Sequence, residues 1–192
     1  MELKEKQIDS ELIYDGKIVA LYRDDVLLPN GSKGVREYIR HVGAVCVAPV
    51  TDDGKVVLER QFRYPFDTVL TEIPAGKLDG KEEDPEEAAR RELREETGAH
   101  AEELIFLGDY YPTCAYSDEV IHMYLARGIS FGERSLDEDE FLNVQLVQLE
   151  DAVKEVLNGT IKDGKTQTTL LKAYLWLNGN RQQPAGKSPS GD

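Results

Sequence analysis

The sequence contains few cysteines, little positive charge for its size and no long run of apolar residues. Its two cysteines, Cys46 and Cys114, exclude a fold that is held together by several disulfides. No segment approaches the roughly 20 apolar residues that a membrane-spanning helix needs, and no signal peptide is recognisable. We therefore expect a cytoplasmic protein that has no membrane partner.

The charge balance is strongly acidic. Asp and Glu together number 37 against 23 Lys and Arg, so the formal net charge is −14 at pH 7. A surface of this sign repels nucleic acids and anionic membranes, so we expect neither as a partner. It would also repel an anionic small molecule, unless a bound cation neutralises the site that receives it.

One segment, residues 72–99, carries more carboxylates than folding alone requires. It is predicted to form a hinge-like loop at 74–76 that leads into a short helix. Asp84 is a favourable helix N-cap, and Pro85 suits the first helical turn. Gly98 is the expected stop after Thr97, because glycine readily adopts the left-handed conformation that ends helices. The pattern predicts a helix that begins after Asp84 and ends at Thr97.

Three glutamates share one face of this predicted helix. Glu92, Glu95 and Glu96 fall within an arc of about 100°, whereas Arg90 and Arg94 point to the opposite side. Like charges four residues apart destabilise an exposed helix by a few tenths of a kcal/mol, so helix stability does not explain the cluster. Carboxylate oxygens suit a hard divalent cation such as Mg²⁺ or Mn²⁺. The simpler alternative is a solvated acidic face.

The spacing of residues in this segment resembles the signature sequence of the Nudix hydrolases. The matching positions are Gly76, a glutamate, and the run Arg91-Glu92-Leu93-x-Glu95-Glu96-x-Gly98-Ala99. A pattern of this length is specific. The resemblance implies an α/β (α+β) fold, in which an α/β/α sandwich surrounds a mixed sheet and covers about residues 41–178.

The match departs from the family pattern in one place. Arg91 stands fifteen residues after Gly76, one more than in the family, and the additional residue falls in the loop before Asp84, where an insertion costs little. The first glutamate of the signature is therefore Glu82 or Glu83, and the resemblance implies that it pairs with Arg91. Of the two, Glu83 is assigned to the structural positions of the signature, with Gly76, Arg91 and Gly98.

Residues 1–40 are predicted to form a separate N-terminal antiparallel β unit. Hairpin turns are expected at 15–16 and 30–31, between alternating segments at 11–14, 18–22, 24–28 and 35–40. This unit has few apolar residues and needs another surface to pack on. Residues 41–178 form the predicted Nudix domain, and residues 179–192, rich in Gly, Pro, Ser and Gln, are predicted to be a disordered tail.

Among the Nudix hydrolases, the chain is most similar to the ADP-ribose pyrophosphatase group. In that group, a loop resembling the acidic segment 136–140 carries the general base and a further metal ligand, which the matching positions place at Glu138 and Glu140. The implied metal ligands are the main-chain carbonyl of Ala75 and the carboxylates of Glu92, Glu96 and Glu140, with Glu95 a weaker candidate. The implied ion is Mg²⁺, with Mn²⁺ as an alternative. A loop that is merely solvated remains the simpler interpretation of 136–140.

Several residues outside the signature are candidate substrate contacts. The fork-shaped guanidinium of Arg63 could hold a phosphate, although a plain surface arginine is the alternative. The resemblance implies that Arg36 and Glu37 reach the nucleotide across a homodimer interface, because members of the group exchange their N-terminal strands between subunits. The other candidates are Leu78, Thr113 and Glu119.

The substrate loop differs from that of the group at one position. A proline sixteen residues after Gly98 marks a preference for ADP-ribose in the group, and Cys114 stands there instead, with Pro112 nearby. The resemblance implies Mg²⁺-dependent hydrolysis of ADP-ribose to AMP and ribose 5-phosphate. Cys114 keeps open the same reaction on another nucleoside diphosphate sugar or a dinucleotide. A third hypothesis is a Nudix module that senses ADP-ribose without cleaving it. Segment 158–166 is assigned a structural role only.

Overall fold

The computed structural model describes residues 2–136 and 141–181, and the chain up to Arg40 forms a sheet of its own. In this sheet the strands lie side by side in chain order and antiparallel: β1 (Lys6–Asp15), β2 (Ala20–Leu27) and β3 (Lys33–Arg40). The segments predicted at 18–22 and 24–28 were wrongly separated. They form the single strand β2, because Arg23 between them pairs with Glu11 on one side and Glu37 on the other.

This N-terminal sheet contributes little to the hydrophobic core. All ten residues of β1 are exposed, and within residues 2–40 Val26 is the one apolar residue that is buried. The sheet is joined to the rest of the chain through Ile39. The Ile39 N–H donates to the carbonyl of Tyr116 at 2.9 Å, and its carbonyl accepts from the N–H of Asp118 at 3.1 Å.

Two further sheets make up the centre of the molecule. The first has the order β7-β4-β9-β8 and is mixed, because β4 runs parallel to β9 while the other pairs are antiparallel. The second has the order β10-β5-β6 and is antiparallel. Their strands are β4 (Ala44–Pro49), β5 (Lys55–Arg63), β6 (Thr68–Glu72), β7 (Ala75–Lys77), β8 (Ala99–Tyr110), β9 (Ile121–Phe131) and β10 (Leu142–Gln148).

Helices cover both faces of the mixed sheet. The helices are α1 (Pro85–Thr97), α2 (Leu149–Leu157) and α3 (Gly164–Arg181), and a short 3₁₀ turn spans Tyr64–Phe66. Along β4, Val45 and Val47 pack with Leu93 of α1, whereas Cys46 packs on the other face in a cluster that includes Leu170 of α3. This alternation confirms the predicted sandwich around a mixed sheet. None of the described helices is both long and apolar enough to cross a membrane.

Two boundaries differ from the sequence prediction. Residues 74–76 were predicted to form a hinge-like loop, but Ala75 and Gly76 belong to β7 (Ala75–Lys77), which pairs with β4. Helix α3 continues to Arg181, three residues into the predicted disordered tail of 179–192, and the remainder of that tail lies outside the described residues.

Candidate active site

The position of the glutamates is fixed by the two ends of helix α1. At its start, Oδ1 of Asp84 accepts from the N–H of Glu86 at 2.8 Å and of Glu87 at 3.4 Å. At its end, Gly98 takes a left-handed conformation with φ of 71°, and its N–H donates to the carbonyl of Arg94 at 2.8 Å. The helix therefore begins and ends where the sequence predicted, and the rotational setting of its carboxylates follows.

Two of the three predicted glutamates lie against strand β7. A Cβ atom added to Gly76 would lie 2.0 Å from Cδ of Glu92, so only glycine leaves room for this carboxylate. Oε2 of Glu96 accepts a hydrogen bond from the N–H of Ala75 at 2.9 Å. Glu92 is 9% exposed and Glu96 is 4% exposed, so both carboxylates are held between the helix and the strand.

Arg91 connects the signature glutamates to one another. Its Nη1 donates to Oε1 of Glu92 at 2.6 Å and lies 3.4 Å from Oε2 of Glu95, and its Nε donates to Oε1 of Glu83 at 3.3 Å. Glu83, rather than Glu82, is therefore the glutamate that contacts Arg91. The pKa of Glu83 is lowered, first by a hydrogen bond from the N–H of Asp79 and then by Arg91.

The predicted metal ligands are only partly brought together. Within residues 2–136 and 141–181, no three acidic, His or Cys side chains are grouped closely enough to hold a metal ion. Glu138 and Glu140 lie outside the described residues. The side chains that are described nevertheless fit a divalent cation, because Gly76 receives the Glu92 carboxylate and the Ala75 N–H fixes that of Glu96, and both offer hard oxygen donors.

A cavity of about 350 Å³ opens beside Ala75 and Gly76. Its wall includes two of the predicted substrate contacts, Arg63 and Glu119, but Pro112 lines it rather than the predicted Thr113. The cavity thus places a guanidinium, a carboxylate and the glycine of the signature around one space.

Leu78 does not line this cavity with its side chain. It is 6% exposed and packs in the hydrophobic cluster under α1 with Val45 and Leu93. Its side chain therefore belongs to the core, and the predicted role of Leu78 as a substrate contact stays a prediction.

Arg36 and Glu37 line a different cavity, of about 290 Å³, between the N-terminal sheet and the loop that contains Cys114. Arg36 pairs with Glu5, and its Nη1 donates to the carbonyl of Val35 at 2.9 Å. Arg63 therefore lines one cavity, and Arg36 and Glu37 line another.

A cluster of four charged residues at the first cavity was not predicted from the sequence: Arg63, Asp163 and Lys165 line the cavity, and Glu72 lies buried behind them. Arg63 donates two hydrogen bonds to Glu72, from Nε to Oε1 and from Nη2 to Oε2, both of 2.7 Å. Lys165 donates to the same Oε2, and its Nζ lies 3.1 Å from Oδ2 of Asp163. Asp163 and Lys165 belong to the segment that was assigned a structural role only.

The contacts within the cluster favour the charged forms of Arg63, Glu72 and Lys165. Burial works against ionisation of Glu72, but the hydrogen bonds from Arg63 and the charge of Lys165 outweigh it and lower the pKa of Glu72. Burial likewise opposes the charge of Lys165, but Asp163 and Glu72 raise its pKa. The sequence signal that could have found the cluster is an Asp and a Lys on either side of a glycine, at 163–165, where the connection after α2 enters α3.

The chain matches models of two protein domains. A NUDIX domain model matches residues 39–168, and a model described as the nucleoside diphosphate sugar hydrolase N-terminal domain matches residues 5–39. A crystal structure of an ADP compounds hydrolase superposes with a TM-score of 0.84, covering 95% of this chain and 100% of that chain at 22% identity. This superposition supports the fold.

Two characterised relatives cover nearly the whole chain. One is an ADP-ribose pyrophosphatase of Bacillus subtilis (strain 168), 48% identical over 177 residues, 91% of this chain and 94% of the relative. The other is a methanol dehydrogenase activator of Bacillus methanolicus, 43% identical over 176 residues with the same two shares. Both matches span the N-terminal sheet as well as the mixed-sheet sandwich.

The chain belongs to the Nudix hydrolase family, because the domain model covers more than half of its residues. The domain and the relatives together identify it as a pyrophosphohydrolase, and the predicted resemblance to the ADP-ribose pyrophosphatase group is confirmed.

Proposed function

We propose that this enzyme hydrolyses the pyrophosphate bond of ADP-ribose, giving AMP and ribose 5-phosphate, and that it requires Mg²⁺. The observation that carries this proposal is the seating of the Glu92 and Glu96 carboxylates against Gly76 and Ala75, beside a cavity that also contains Arg63. The 48% identity to an ADP-ribose pyrophosphatase supports the choice of substrate.

Divalent cations would supply two effects when bound, namely neutralisation of the phosphates and acidification of the attacking water. The residues that would hold them are Glu92 and Glu96, with the carbonyl of Ala75, Glu140 and, more weakly, Glu95. Arg91 orients two of these carboxylates, because it contacts Glu92 and Glu95 and is itself held by Glu83. The protein's net charge of −14 makes such neutralisation necessary for a substrate that carries two phosphates.

The proton of the attacking water passes, in this proposal, to the carboxylate of Glu138. A base that does not ligate a cation accepts the proton more readily, because no metal ion withdraws electron density from its oxygens. Arg63 would bind a phosphate oxygen of the substrate. The Arg63 side chain is 39% exposed, whereas that of Glu72 is 3% exposed. The buried carboxylate therefore holds the arginine in place, and the exposed part of the arginine remains accessible from the cavity.

We further propose that the enzyme is a cytoplasmic homodimer in which Arg36 and Glu37 reach the nucleotide bound by the partner. The exposed strand β1 and the separation of Arg36 from the Arg63 cavity support this arrangement. Thr113 and Glu119 are proposed as further contacts. In this scheme residues 1–40 are the dimerisation unit and residues 41–178 the catalytic domain.

A second candidate is the same reaction on another nucleoside diphosphate sugar or on a dinucleotide. Two observations favour it: Cys114 stands where the group has proline, and the N-terminal match is to a nucleoside diphosphate sugar hydrolase domain. A non-cleaving sensor of ADP-ribose is the weaker alternative, because the chain keeps Glu92, Glu95 and Glu96.

The test is a substrate panel of ADP-ribose, a nucleoside diphosphate hexose and a dinucleotide, each with Mg²⁺, Mn²⁺ or EDTA. Phosphate released from the products by an added phosphatase reports turnover. We expect the highest kcat/KM for ADP-ribose, with no turnover in EDTA. A higher kcat/KM for another member would move the proposal to that substrate, and binding without turnover of any member would favour the sensor.

A further inference from the structure

We infer that Lys165 is a positioning residue for Arg63: it shares the Glu72 carboxylate with Arg63, and so keeps that guanidinium oriented toward the cavity with its positive charge only partly balanced by Glu72. This inference rests on the proposed role of Arg63 in binding a substrate phosphate. Lys165 lies in a segment for which the sequence suggested no functional role.

The geometry gives Glu72 two cationic partners and almost no contact with solvent. Arg63 uses both oxygens of Glu72 at 2.7 Å, and Lys165 donates to Oε2 as well. The Glu72 side chain is 3% exposed and that of Lys165 is 13% exposed, so little water reaches the contact between them. A buried carboxylate that serves one cation would neutralise it, whereas Glu72 divides its single charge between two.

Lys165 is fixed in place by the start of helix α3. Thr166 beside it accepts from the N–H of Ile73 at 3.0 Å, and its own N–H donates to Oδ2 of Asp163 at 2.9 Å. Ile73 follows Glu72 in the chain, so the same backbone segment carries the carboxylate and the hydrogen bond that anchors the helix. The backbone that carries Lys165 is therefore held beside the backbone that carries Glu72.

The charge of the cavity wall depends on Lys165. Arg63, Lys165, Glu72 and Asp163 are two positive and two negative groups, which sum to zero. Removal of the Lys165 ammonium leaves this wall one unit more negative and gives Glu72 wholly to Arg63. An anionic substrate would then meet a guanidinium whose charge is balanced by Glu72 alone. The ground state and the transition state would lose the same amount of binding free energy.

The experiment compares Lys165→Met with Lys165→Arg and with a matched control, Lys154→Met, which removes a lysine on the exposed side of α2. We expect KM for ADP-ribose to rise about tenfold in Lys165→Met, with kcat within about twofold, because one charge-assisted interaction is lost uniformly. Lys165→Arg restores the charge, so most of the increase should disappear. Lys154→Met should match the wild type.

A second measurement reads the same link without turnover. The Nε–Hε signal of Arg63 in a side-chain ¹⁵N spectrum, identified by its loss in Arg63→Gln, should shift in Lys165→Met and return toward the wild-type position in Lys165→Arg. If Lys165→Met does not fold, Lys165→Gln takes its place, because an amide can still donate to Glu72 without a charge.

An unchanged KM together with an unchanged Arg63 signal overturns the inference, even if the variant melts at a lower temperature. A fall in kcat at constant KM overturns it as well, because Lys165 would then act on the transition state. If the wild type cleaves no substrate of the panel, the proposed function fails on its own, while the Arg63 signal still decides whether Lys165 positions the arginine.

Discussion

The N-terminal sheet and the mixed sheet are built in opposite ways. Every residue of β1 is exposed, whereas every residue of β4 is buried, with Val45 and Val47 facing one helix layer and Cys46 facing the other. The central part of the chain therefore completes its own core, and the first 40 residues do not. The difference suggests that the carboxylate site depends on the chain itself, while any role of Arg36 and Glu37 depends on a second surface.

The largest loss of activity should come from a substitution in the carboxylate site of the central domain. Glu96→Gln should lower kcat about a thousandfold, since loss of a metal ligand should exceed the 10- to 100-fold that loss of an outer partner costs. The fold should remain, because an amide can still accept from the Ala75 N–H, and thermal unfolding would show this. Glu82→Gln is the control: this exposed neighbour of Glu83 should behave as wild type. Normal turnover by Glu96→Gln would exclude the proposed metal site.

Replacement of the proposed base should act on chemistry alone. Glu138→Gln should lower kcat by about 100-fold or more, because a positioned general base contributes 10²- to 10⁴-fold, and should leave KM nearly unchanged. Steady-state kinetics with ADP-ribose measures both. A change confined to KM would assign Glu138 to substrate binding instead.

Gly76→Ala tests whether the site is built by close approach of the strand to the helix. The new Cβ would lie 2.0 Å from Cδ of Glu92, so the carboxylate must move. We expect kcat to fall about 10- to 100-fold with a cooperative melt retained, as for loss of a positioning contact. Gly80→Ala, where the added Cβ meets nothing within 4 Å, is the control. Equal activities of the two variants would contradict the seating of Glu92.

The exposed sheet can be tested separately from the core. Leu12→Asp places a charge on β1, at a leucine that is 45% exposed in the single chain, and should weaken the proposed dimer at least about tenfold while the melting of the core changes little. Light scattering across a dilution series measures it. Leu157→Asp, at an exposed leucine that ends α2, should leave the dimer intact. A wild-type protein that is monomeric at all concentrations would contradict the proposed homodimer.

The smallest effect should appear in acid. The pKa of Glu72 lies below its ordinary value of 4.5 in the folded protein, because the cations Arg63 and Lys165 overcome the cost of burial. The ionised carboxylate therefore contributes stability above about pH 4.5 that is lost as the pH falls through the lowered pKa. Glu72→Gln should lower the unfolding free energy by about 3 kcal/mol at neutral pH and by less in acid. Urea unfolding at pH 7 and pH 4 measures both, and an equal loss at the two pH values would contradict it.

Features set by neighbouring residues could be predicted from the sequence. The cap at Asp84 and the stop at Gly98 are local, so the bounds of α1 and the common face of Glu92 and Glu96 followed from spacing. The continuous apolar run at 42–50 is likewise a local feature, and it is typical of a strand that is buried on both faces, as β4 is.

Features that depend on distant pairing could not be predicted. Whether Glu82 or Glu83 meets Arg91 depends on how the loop after β7 closes, and the sequence left both open. Lys165 meets Glu72 only because the start of α3 is held against Ile73, 93 residues away from Thr166. No spacing of residues in the sequence indicates the contact between Lys165 and Glu72.

The absence of a side chain at Gly76 has a genetic consequence. The space that a Cβ would fill is occupied by Glu92, so the two positions can change size only together. Glu92→Asp, which withdraws the carboxylate by one methylene, should harm the wild-type enzyme more than it harms the Gly76→Ala enzyme. The effects of substitutions at Gly76 and Glu92 should therefore be non-additive, so that the cost of a change at one position depends on the residue at the other.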